Sequence, residues 1–183
     1  MPEEARPGVW HVSWAGDDPP KVLDESNHLI ATVAGEPESR ALARAGLRPV
    51  VAIDLEPQAR LATLRDRPGL YDLVLTGDVA ALNPSDVAAI QALQPNALTL
   101  VGALGNDHVS PAGVRAAAAL LSPDALMAYA HPEYEDDAPL RAALAELGDV
   151  TELDRRRYVH RRTASGGERT WQAAVLRLSR TVR

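Results

Sequence analysis

At 183 residues and 46% hydrophobic side chains, the chain is long enough for a sizeable core and too apolar to remain disordered, and its length suits one domain over residues 1–183. With no cysteine, disulfides, thiolate metal sites and thiol catalysis are excluded, and no stretch approaches the ~18–20 apolar residues of a membrane span. The net charge of −6 is uneven: from residue 154 onward nine arginines stand against Asp154 and Glu168, which gives that segment +7 and the rest of the chain −13. The acidic, proline-broken start MPEEARPG is unlike a signal peptide, so a cytoplasmic protein with no membrane partner is expected.

Residues 1–28 read as an N-terminal extension. Within it Trp10, Val12 and Trp14 alternate with His11 and Ser13, the pattern of a short half-buried strand. Asp17-Asp18-Pro19-Pro20 then breaks the chain. The core starts at residue 29. The apolar run 29–33 reaches a small-residue turn at Ala34-Gly35, an Ala/Arg-rich helical pattern stops at Gly46, and a second apolar run, 50–53, ends on Asp54. These are the connection lengths of a parallel strand–helix–strand unit. Both strands then end at one edge of a sheet, which brings the turn at Gly35 beside Asp54. Asp54 has two readings here: a ligand-binding acid at a strand end, or a helix cap ahead of Pro57.

From Pro57 a helix follows with Ala59, Leu61, Ala62 and Leu64 on one face, and Pro68-Gly69 ends it. A strand over 71–75 closes at Thr76-Gly77-Asp78. Asn83 or Ser85 caps the next helix, whose Val87, Ile90 and Leu93 follow helical spacing. A strand over 97–100, the polar loop GALGNDHVS, a helix over 111–121 and a strand over 125–130 come next. The acidic loop HPEYEDD leads to a helix over 139–147 ended by Gly148. Closing strands are predicted over 150–153, 157–163 and 170–178, the last two joined by the hairpin signal Ala164-Ser165-Gly166-Gly167. The alternation implies a three-layer αβα sandwich around a Rossmann-like, mostly parallel sheet, with a C-terminal antiparallel hairpin.

Five stretches of this core, ALARAG followed by VVAIDLEP, YDLVLTGDVAAL, LQPNALTLVG and LRAALAELGDVTELD, resemble a class I S-adenosylmethionine-dependent methyltransferase domain over residues 29–178. The resemblance implies S-adenosylmethionine as cofactor. It implies that Asp54 holds the ribose hydroxyls, that Leu55 packs near the adenine, and that the turn Ala34-Gly35-Glu36 approaches the methionine moiety. It equates YDLVLTGDVAAL with the strand opening onto substrate, so that Asp78 and Val79 face the active-site opening. No catalytic residue is indicated, because in-line methyl transfer rests largely on proximity and orientation. The cofactor motif is degenerate. Ala31 stands where the family's acid belongs, Val33 and Pro37 stand at glycine positions, and only Gly35 remains. Glu36 and Glu38 add negative charge near a methionine carboxylate. Only seventeen positions separate Asp54 from Tyr71, so the family's third strand and its helix, which help form the adenine wall, are expected to be missing.

Two other readings follow from different residues. Asp54-Leu55-Glu56, Gly77-Asp78 and Gly105-Asn106-Asp107-His108 are spaced like the metal-binding blocks of calcineurin-like metallophosphoesterases. That resemblance implies a divalent-metal set of Asp54, Asp78, Asn106, His108 and His131. Alternatively the domain is a noncatalytic binding or assembly module. Its arginine-rich hairpin (Arg155, Arg156, Arg157, Arg161, Arg162) would then meet nucleic acid, with Tyr158 and Trp171 placed to stack bases. A solvated arginine face and a core tryptophan explain the same residues without a partner. Nothing in the sequence fixes the oligomeric state.

Overall fold

The computed structural model describes residues 28–32, 48–66, 68–100, 103–104, 109–133, 135–162 and 167–179. Among them seven strands form one sheet: His28–Thr32 (β1), Arg48–Asp54 (β2), Leu73–Thr76 (β3), Ala97–Leu100 (β4), Ala125–Pro132 (β5), Asp149–Arg162 (β6) and Glu168–Ser179 (β7). Their order across the sheet is β3-β2-β1-β4-β5-β7-β6. The first five strands run parallel, and β7 is antiparallel to both β5 and β6. The helices are Pro57–Asp66 (α1), Pro84–Ala92 (α2), Pro111–Ala119 (α3) and Ala138–Ala145 (α4).

The parallel strands are apolar at successive positions because helices cover both sheet faces. Every residue of β4 and β5 is buried. On one face Val51, Ile53, Leu98, Leu100, Met127, Tyr129 and Leu176 pack against Ile90 of α2, Val114 and Ala118 of α3, and Leu140 and Leu144 of α4. Ala52 alternates with Val51 and Ile53, so it points to the opposite face. There it clusters with Tyr71 and Val74 beneath α1, whose Thr63 is buried. These are the three expected layers.

Four expectations are corrected. The third strand is present: ten residues of α1 and a short turn fit between Asp54 and β3, and β3 pairs with β2 at the sheet edge, Asp54 beside Thr76. Residues 73–76 therefore do not form the strand next to β1; that strand is β4. The predicted strands 150–153 and 157–163 are one strand, β6, which absorbs its polar middle as a solvent-facing edge with irregularities at Glu152/Asp154 and Val159/Arg161. On α1, Leu61 and Leu64 are exposed while Thr63 is buried, so the helix is rotated from the face its leucines suggest.

The caps behave as local chemistry dictates. Asn83 accepts from the Asp86 N–H at 2.9 Å, which decides between the two candidate caps of α2. Ser110 accepts from the Gly113 N–H at 3.1 Å, with Pro111 at the first helical position. The expected strand around Trp10–Trp14 and the helix ending at Gly46 lie outside the described residues, as does the hairpin turn over 163–166.

Candidate functional site

The parallel strands β1, β2 and β3 end at one rim. Thr32, the last residue of β1, lies in register with Ile53, and Asp54 with Thr76. At the tip of β2 the Asp54 carboxylate turns the chain: its Oδ1 accepts from the Glu56 N–H at 2.8 Å. Glu56 supplies the cap of α1, its Oε1 accepting from the Gln58 N–H at 3.3 Å. Asp54 is therefore not the helix cap. Its second carboxylate oxygen makes no hydrogen bond among the described residues, and the neighbouring Leu55 is 58% exposed. An acid with a spare oxygen thus stands beside an uncovered apolar side chain.

The tip of β3 is fastened to this point. The Gly77 N–H donates to the Asp54 carbonyl at 2.8 Å, and Gly77 sits at φ +153°, a conformation that side chains rarely adopt. Asp78 follows and caps a 3-10 turn, Val79–Ala81, by accepting from the Ala80 N–H at 2.9 Å. Sequence pattern gives Gly77 only the end of a strand. Its position between that strand and an acid is the signal that marks it.

Asp54, Leu55 and Asp78 are thus brought to one rim. Asp78 stands at the tip of β3, on the outer side of β2 and away from β4. Val79 turns inward, packs against the core and lies near Gly113 of α3. Ala34, Gly35 and Glu36 lie outside the described residues.

The alternative metal set loses His131. His131 is on β5, three strands from Asp54, which is about 14 Å across the sheet and too far to share an ion. Asn106 and His108 lie outside the described residues, and no three metal-ligating side chains cluster among those described. The strand order thus removes His131 from the set, while Asp54 and Asp78 stand at the tips of neighbouring strands.

The basic hairpin is largely neutralised. Arg155 makes a forked contact to Glu152, with Nη2 at 2.5 Å, and donates to Gln172 Oε1 at 2.5 Å. Arg156 pairs with Asp154 at 3.0 Å, Arg157 with Glu133 at 2.7 Å and Arg162 with Glu168 at 3.1 Å. The Arg161 side chain lies outside the described residues. Glu133 also accepts from the Thr170 hydroxyl at 2.5 Å and the Gln172 amide at 3.3 Å. The Thr170 hydroxyl and then Arg157 hold the Glu133 carboxyl below the ordinary glutamate range. Arg155 does the same for Glu152. Trp171 and Tyr158 are buried and cluster with Ala130 and Ala173, so they are core residues, with His160 stacked on Trp171 at 4.2 Å.

No protein-family model matches the chain, and no curated protein matches it. Solved structures do. The 1,6-didemethyltoxoflavin-N1-methyltransferase of Burkholderia thailandensis, with 1,6-didemethyltoxoflavin and S-adenosylhomocysteine bound, is 16% identical at a TM-score of 0.55, covering 85% of this chain and 73% of its own. A SAM-dependent methyltransferase of Methanosarcina mazei is 12% identical at 0.59, covering 90% and 100%. A functionally unknown protein of Deinococcus radiodurans R1 is 13% identical at 0.61, covering 92% of each chain. Identities this low speak for the fold alone. With the seven-strand order and the antiparallel closing hairpin, they make this a chain with the fold of the class I S-adenosylmethionine-dependent methyltransferases.

Proposed function

We propose that the chain binds S-adenosylmethionine across the rim of β1, β2 and β3 and acts as a methyltransferase. One observation carries this reading. At the tip of β2, next to parallel β1, Asp54 keeps a carboxylate oxygen free while Leu55 beside it lies open. A ribose diol donates two O–H groups and a purine needs an apolar face, and these two residues offer both. Finding β3 and α1 in place removes the strongest objection in the sequence, the missing adenine wall; Asp78 belongs to that wall.

Bound there, S-adenosylmethionine supplies an electrophilic methyl group. The chain's part is orientation, which supplies most of the catalysis in such a reaction. Asp54 would hold the ribose, and Leu55 and the β3 tip would flank the adenine. With one glycine left in the sequence Ala34-Gly35-Glu36, where the resemblance implies a glycine-rich stretch, binding would be weaker than such a stretch gives. Calorimetric titration with S-adenosylhomocysteine tests the reading. Binding that weakens in Asp54→Asn supports it, and no heat at millimolar ligand removes it.

The hairpin as a nucleic-acid surface has less support, because Arg155, Arg156, Arg157 and Arg162 each already have a carboxylate partner. Paired charges release few counterions from a polyanion.

A further inference from the structure

A second polar site lies on the same rim, two strands from β1. It is a pocket of about 230 Å³ between the C-terminal end of β5, the start of β7 and the loop into α4. Tyr129, His131, Glu133, Glu135, Arg155 and Gln172 line it. The β4–β5 register pairs Leu100 with Tyr129, so His131 stands two residues beyond the level where β4 ends, about 7 Å further toward the rim.

Most of its polar groups are already used. Arg155 is held by Glu152, Gln172 and the Tyr129 hydroxyl, and Glu133 by Thr170, Arg157 and Gln172. Asp137, also in the lining, pairs with Arg141. Two groups keep open capacity. His131 is 8% exposed and has no hydrogen bond or ion pair among the described residues. The Glu135 side chain likewise has no partner among them. An anion would meet Glu135 and Asp137 with no free cation to offset them, since Arg155 is spent. A cationic hydrogen-bond donor would find a counter-ion in Glu135 and an acceptor in a ring nitrogen of His131.

We propose that this pocket binds a small amine, with Glu135 as its counter-ion and His131 accepting one N–H. The pocket opens on the same rim about 10 Å from β1. The amine is then the class of methyl acceptor, a role that rests on the methyltransferase reading, whereas the binding itself does not.

Calorimetric titration of the full chain with butylamine tests it, with butyrate and inorganic phosphate as anionic comparators. Butylamine is expected to bind, move the His131 ring-proton resonances, and bind about ten- to hundredfold more weakly to Glu135→Gln, the cost of one charge-assisted hydrogen bond. Glu146→Gln, on an exposed acid outside the pocket, should bind it as the parent does. Absence of butylamine binding at millimolar concentration overturns the proposal. So does unchanged binding in Glu135→Gln, or binding of butyrate or phosphate as tight as that of the amine. S-adenosylhomocysteine titrated against the same proteins separates the two readings. A cofactor response without an amine response removes the amine pocket alone. An amine response without a cofactor response keeps the pocket and removes its part in methyl transfer.

Discussion

Asp54 uses one carboxylate oxygen to turn the chain and keeps the other. Asp54→Asn retains an oxygen for the Glu56 N–H but loses the charge, so the fold should hold while affinity for S-adenosylhomocysteine falls about tenfold or more. Equal affinity in calorimetry would place the ribose elsewhere. Gly77 fastens β3 to β2 from a backbone conformation that alanine tolerates poorly, although a Cβ there would meet only Leu82 Cδ2 at 3.9 Å, an ordinary contact. Gly77→Ala should therefore cost about 1–2 kcal/mol in urea unfolding, from strain and not from a clash. Glu133 supplies the pH test. Its folded-state pKa is depressed, so its contribution is present above the ordinary glutamate value of 4.5 and is lost as pH falls through the lower folded value. Acidification from about pH 7 to about pH 3 should lower the denaturation midpoint of the parent more than that of Glu133→Gln; equal losses would show that the Thr170 and Arg157 contacts do not persist in solution.

At the scale of elements, α3 approaches the turn after β3 through a residue without a side chain. A Cβ on Gly113 would stand 2.9 Å from Val109 Cγ1 and 3.2 Å from Val79 Cγ1. Alanine would favour the helix, but overpacking costs more. Gly113→Ala should lose roughly 1 kcal/mol net and loosen amide protection over Val79–Ala81; a gain in stability would mean that α3 sits further from the turn. The same elements show what the sequence could reveal. Apolar runs such as ALTL and caps such as Asn83 and Ser110 declare themselves locally, so strands and helix starts were legible within a few residues. The rotation of α1 was not, because Leu61 and Leu64 imitate a buried face while Ala59, Ala62 and Thr63 let the helix lie closer. Nor was the rank of β3, since spacing along a chain carries no information about which neighbour a strand takes. Nor did spacing along the chain show that β5 lies three strands from β2, which puts His131 about 14 Å from Asp54 and removes it as a metal partner. The pocket at His131 had no local signature, being assembled from β5, the loop into α4, β6 and β7.

Among the described residues the molecule is a seven-stranded sheet whose parallel half ends in an acid, an exposed leucine and a pinned glycine, and on whose antiparallel half Arg155, Arg156, Arg157 and Arg162 are each matched by a carboxylate. Much of the positive charge of β6 is thus spent within the fold, and affinity for a polyanion should be weak and lost at moderate salt. Among the described residues no helix is long and apolar enough to cross a membrane. The central claim is that the rim of β1, β2 and β3 is a nucleoside-cofactor site, and a ligand that binds only the folded state must stabilise it. The most direct measurement is thermal unfolding of the full chain with rising S-adenosylhomocysteine, beside Asp54→Asn. The midpoint should climb with ligand in the parent and climb much less in the variant. A midpoint that stays flat in the parent at millimolar ligand, or rises equally in both proteins, would contradict it.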